Sequence, residues 1–132
     1  SGAGVVTILA DLLGFDAYGI ELDPWLVDAA ARLAASVGSG AEFVAGSFVP
    51  PGLRETVEHQ PADTLLETEG VDAWAELGMR LGDFDVVYDY HWPDQADFHG
   101  ELLARGVRPG ATVLRYSHDE GFEATIWPPS PI

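Results

Sequence analysis

Along the first third of the chain, apolar residues alternate between helical and strand spacing. Val5, Ile8, Leu9, Leu12 and Leu13 recur every three or four positions and Gly14 follows, a residue that closes helices in the left-handed conformation, so a helix is predicted over 4–13. Ala17 to Glu21 is short, apolar and flanked by turn residues, which predicts a strand. Asp23 and Pro24 supply an N-cap and a first-turn proline, and Leu26, Val27, Ala30, Leu33 and Ala34 form the inner face of the next helix. The loop Gly38-Ser39-Gly40 ends it, and Ala41 to Ala45 reads as a second buried strand closed by Gly46-Ser47.

From Val49 to Gly70 no period survives the prolines and scattered acids. A connection of such length, spanning 49–82, is expected to carry its own helix, with partial helix around 62–68. Helical spacing returns through Val71, Trp74, Ala75, Leu77 and Leu81, predicting a helix over 71–81, and Phe84 to Asp89 predicts a strand. Pro93 and Asp94 suit a helix start, Phe98, Leu102 and Leu103 its inner face, and Gly106 its end. After the turn at Arg108-Pro109-Gly110, Ala111 to Tyr116 reads as a strand, whereas His118 to Ile132 shows no strong period. Strands alternating with helices predict an α/β fold in which crossover helices cover a parallel sheet.

Composition narrows the function classes. With 132 residues and 47% apolar content, a single domain with one core is expected. Six basic and 22 acidic residues give a net charge of −16, which repels phosphate backbones and anionic membranes, so nucleic acid is a poor partner. Every basic residue is Arg; the absence of Lys removes lysine Schiff-base chemistry, and the absence of Cys removes disulfides, thiolate nucleophiles and cysteine-ligated zinc. A cytoplasmic location fits this cysteine-free chain, which also lacks an apolar run of membrane-spanning length. His59, His99 and His118 have no metal-ligand spacing, and no metal site is expected.

The turn Ser1-Gly2-Ala3-Gly4 before a helix, and Gly19-Ile20-Glu21-Leu22-Asp23-Pro24 at the end of a strand, carry a resemblance. The segment 1–117 resembles a class I, Rossmann-like S-adenosylmethionine-dependent methyltransferase that lacks its first strand. The resemblance implies a doubly wound, mostly parallel sheet with helices on both faces, truncated at the N-terminus and at the C-terminus, with a gap where the missing central strand would lie. It also implies the site. Gly2 and Gly4 would face the methionine moiety, Glu21 would bind the ribose hydroxyls, and Leu22 would neighbour the adenine. Ser47 stands where many family members carry Asp for the adenine amino group, and Phe48 would stack on the base. Asp89, Tyr90 and His91, in the run Asp85 to Pro93, would face the methyl acceptor, a small molecule or a protein side chain, with His91 able to take a proton and Tyr90 and Trp92 able to frame the sulfonium.

Two other functions share parts of this pattern. A nicotinamide-dependent oxidoreductase also uses a glycine turn before a helix, although Thr7 stands where its third glycine is expected. A non-catalytic Rossmann-like binding module would instead work through the acidic stretch from Glu55 to Glu69.

Overall fold

The computed structural model describes residues 4–49, 71–90 and 96–130. Gly2, His59, His91, Trp92, the acidic stretch from Glu55 to Glu69 and the helix expected at 62–68 lie outside the described residues. The described elements run α1 (Val5–Leu12), β1 (Tyr18–Glu21), α2 (Pro24–Ser36), β2 (Glu42–Ala45), α3 (Ala73–Leu77), a 3-10 turn (Leu81–Asp83), β3 (Val86–Tyr90), α4 (Ala96–Gly106), β4 (Thr112–Ser117) and β5 (Gly121–Ile126).

Local chemistry sets the boundaries. Asp23 caps α2 by accepting from Trp25 N at 2.9 Å, with Pro24 in the first turn. Asp72 caps α3 in the same way, through Trp74 N at 3.0 Å. The helix expected over 71–81 stops early because Gly78 turns left-handed at φ 68° and its N–H bonds back to Trp74 O at 2.9 Å.

The expected doubly wound sheet is overturned. The strands form two small sheets, a parallel pair β1–β2 and a three-stranded β3–β4–β5, and among the described residues no ladder joins them. Ring contacts bring the two together: Tyr18 of β1 meets Phe84, just before β3, with ring centroids 5.8 Å apart, and Trp74 of α3 meets Phe84 at 6.0 Å. The second sheet is mixed because β5 runs antiparallel to β4. Only His118, Asp119 and Glu120 separate these strands, too few for the crossover that a parallel return needs. Gly121, at φ 74°, completes the hairpin. This strand falls where the sequence shows no strong period.

Nor, among the described residues, do helices seal both faces. The main core lies where α4 packs on one face of β3 and β4 through Leu102, Leu103, Val107, Ala111 and Val113, joined by Leu81 and flanked by Val87, Trp74 and Trp127. The opposite face leaves Tyr88, Tyr90, Phe122 and Ile126 exposed. On α1 only Ile8 is buried, and Val5, Val6, Leu9 and Leu12 remain in solvent. Among the described residues no helix is long and apolar enough to cross a membrane.

Candidate functional site

The C-terminal ends of β1 and β2 meet, and a ring contact and a hydrogen bond link them onward to the end of β3. The chain descends α1 and returns up β1: Asp11, near the end of α1, accepts from Ser39 Oγ at 2.8 Å and Gly40 N at 2.9 Å, just before β2 begins. Gly4, at the opposite end of α1, therefore lies toward the end of β1 that carries Glu21. Gly46 N bonds to Glu21 O at 3.0 Å, bringing the ends of β1 and β2 together. The ring of Phe48 then reaches His99 on α4, with centroids 5.4 Å apart, and His99 reaches Asp89 on β3.

Gly4 is buried and left-handed at φ 83°, and a methyl added there would meet Phe43 Cζ at 2.6 Å and Ala30 Cβ at 2.7 Å. Glycine is thus required here for the tight approach of α1 to β2 and α2 as well as for the turn. Glu21 ends β1 half-buried, and its Oε1 accepts from Asp23 N at 3.3 Å, which sets the carboxylate beside the start of α2. Leu22 follows it, also half-buried.

Ser47 and Phe48 take part in packing. Ser47 is buried, its Oγ accepts from Val49 N at 3.1 Å, and its backbone bridges the segment before α3, with Ser47 N donating to Val71 O at 2.8 Å and Ala73 N to Ser47 O at 3.1 Å. Phe48 inserts its ring against both buried clusters, and its carbonyl accepts from Trp74 Nε1 at 2.6 Å.

Asp89 is held by two partners absent from the predicted site. Oδ1 is 2.5 Å from His99 Nδ1, and Oδ2 accepts from Arg115 Nε at 3.1 Å. Because a carboxylate only accepts, His99 Nδ1 carries the proton. Asp89 and Arg115 face one another in the β3–β4 register, and His99 sits on the inner face of α4 between Phe98 and the leucines. A like clue existed in the sequence: both strands place one charge at a single position within an apolar run, and the charges are opposite. An open cleft of about 300 Å³ adjoins this group, lined by Ala96, Arg115, Ser117, His118, Asp119 and Glu123 among others.

Tyr90 points to the other face of the sheet. Its hydroxyl is 3.1 Å from His118 Nε2, and its ring stacks on Tyr116 at 5.7 Å. Strand alternation therefore separates Asp89 from Tyr90, which the sequence placed in one site. Among the described residues no group of three or more His, Asp or Glu is arranged to hold a metal ion. No protein-family model, curated protein or solved structure matches the chain.

Proposed function

We propose that the chain binds the nucleoside of S-adenosylmethionine at the ends of β1 and β2 and takes part in transferring its methyl group to an acceptor near the end of β3. The supporting observation is Glu21, a carboxylate at the end of a parallel strand, beside a helix N-terminus and on the same edge as the left-handed turn at Gly4. A carboxylate in that position accepts from two vicinal ribose hydroxyls. The donor set fits the ribose better than the base, because Ser47 and Phe48 are engaged in packing and leave Leu22 as the apolar neighbour for adenine.

Bound S-adenosylmethionine would supply an electrophilic methyl group, and the protein's work is chiefly positioning. In this reading Glu21 fixes the ribose. Asp89, oriented through both oxygens by His99 and Arg115, receives a hydrogen bond from the acceptor. That double restraint also favours a second reading, a nucleoside-binding module without catalysis, in which Asp89 serves only to join α4 to the sheet.

Calorimetric titration with S-adenosylhomocysteine, with reduced nicotinamide cofactor as control, tests the proposal. Binding of the former alone is expected, and Glu21→Ala should weaken it by about 1 to 3 kcal/mol, the cost of a lost charged hydrogen bond. Unchanged affinity in the variant would remove the ribose assignment. Binding without methyl transfer to any acceptor would favour the non-catalytic module.

A further inference from the structure

β5 is the last strand of its sheet, and among the described residues no strand pairs with its outer edge. Trp127 N donates to Ala111 O at 2.8 Å, next to the pair Thr112 and Ile126. By the alternation of an antiparallel ladder, Thr125 and Glu123 then turn their backbone groups inward to β4, whereas Phe122, Ala124 and Ile126 turn theirs outward. Folded proteins blunt such edges with lysine or proline, and Gly121–Ile126 contains neither. The outward residues are also apolar, with Phe122 72% and Ile126 65% exposed.

An edge of this kind accepts an added strand, and its sequence decides which one. Two copies of β5, antiparallel about a two-fold axis at Ala124, place Phe122 opposite Ile126 of the second copy, Ala124 opposite its own counterpart, and Glu123 opposite Thr125 of the second copy. Every outward residue meets an outward residue, and each such pair exchanges both N–H···O bonds. The side chains match too: aromatic against β-branched on one face, a small residue at the axis, and on the other face the Thr125 hydroxyl donating to the Glu123 carboxylate. A slip of two residues spoils the match in either direction. One slip sets Glu123 against Glu123 of the second copy, and the other sets Phe122 against Pro128, which has no N–H to give.

We infer that β5 is a self-association edge, through which two copies of the chain pair antiparallel about a two-fold axis at Ala124 and join their three-stranded sheets into one. The contact is isologous and closes at a dimer. It is independent of the nucleoside edge and does not rest on methyl transfer. The charge of −16 on each copy opposes the approach, so screening by salt strengthens the dimer.

Sedimentation equilibrium of the 132-residue chain over a range of concentrations and salt tests the inference. A monomer–dimer equilibrium that tightens as salt rises is expected. Ala124→Pro removes an N–H that the chain's own sheet does not use, and should weaken dimerisation by about tenfold or more while the circular dichroism spectrum stays unchanged. The chain has no Cys, so Ala124→Cys introduces a single thiol that meets its counterpart across the axis, at the Cα separation of about 5.5 Å that a disulfide spans. Mild oxidation should therefore link the Ala124→Cys dimer rapidly, and the exposed helix variant Ala35→Cys slowly. A chain that stays monomeric at all concentrations and salts, a dimer unaffected by Ala124→Pro, or equal cross-linking of the two cysteine variants would each overturn the inference.

Discussion

Replacing Asp89 by Ala removes a carboxylate that joins β3, α4 and β4. Its side chain is 11% exposed and that of His99 6%, so their contact is largely shielded from water, whereas Arg115 at 28% is partly hydrated. Removing one partner of a buried charged pair costs about 3 to 5 kcal/mol. The lower end applies, since Arg115 is partly hydrated and can turn toward solvent. A loss of about 3 kcal/mol follows for Asp89→Ala, and about 1 to 2 kcal/mol for Asp89→Asn, whose amide oxygen still accepts one hydrogen bond. In urea, with a slope of about 2 kcal/mol per molar, the alanine midpoint falls by roughly 1.5 M. A double-mutant cycle with His99→Leu should give a coupling of about 1 to 3 kcal/mol, larger than the cycle with Arg115→Leu. A loss below about 1 kcal/mol with unchanged slope would refute the view that this trio secures α4 to the sheet.

Gly46→Ala places a methyl against the Val71 carbonyl oxygen and Ala73 at a φ of 152°, and should cost roughly 3 kcal/mol in thermal or urea unfolding. Gly38→Ala, at φ 72° with open space around the new methyl, should cost only about 1 kcal/mol, and equal losses would discredit the packing argument. The Tyr88 phenol is pushed above its ordinary value of 10.0 by partial burial, then by Tyr90, Asp89 and Tyr116 beside it. Because the folded state favours the neutral phenol, this contribution to stability is present below the unfolded value and is lost as pH rises through the raised one. Ultraviolet titration should show a late-ionising tyrosine that Tyr88→Phe abolishes; an unchanged titration curve in that variant would contradict the assignment.

Local elements were largely legible in the sequence, while their assembly was not. Asp23-Pro24 marked the start of α2, and the apolar runs at 17–21, 41–45 and 111–116 fall on β1, β2 and β4 to within a residue or so at either end. These features rest on capping and burial, which short windows contain. The expected single sheet failed because strand pairing is non-local: nothing within Tyr18 to Glu21 or Val86 to Tyr90 states which strands will neighbour them. β5 was missed although Phe122, Ala124 and Ile126 alternate with Glu123 and Thr125, because an exposed face gives alternation without a buried apolar run. The site followed the same division. That Glu21 ends a strand could be read from the run Ala17 to Glu21, whereas the contacts of His99 and Arg115 with Asp89 arise only when α4 and β4 meet β3.

The core is unevenly distributed between the two sheets, and that asymmetry governs how the molecule opens. Six mutually packed buried residues secure α4 against β3 and β4, while α1 and α2 bury Ile8, Ala30 and Ala34. Amides of Val113 and its strand neighbours should therefore exchange with solvent deuterium only through near-global unfolding, and those of α1 through cheaper partial openings. The proposed nucleoside edge belongs to the half that opens more readily. A ligand bridging Gly4 and Glu21 would slow exchange there first, so occupancy would register as altered protection in α1 and β1 before any change in the midpoint of global denaturation.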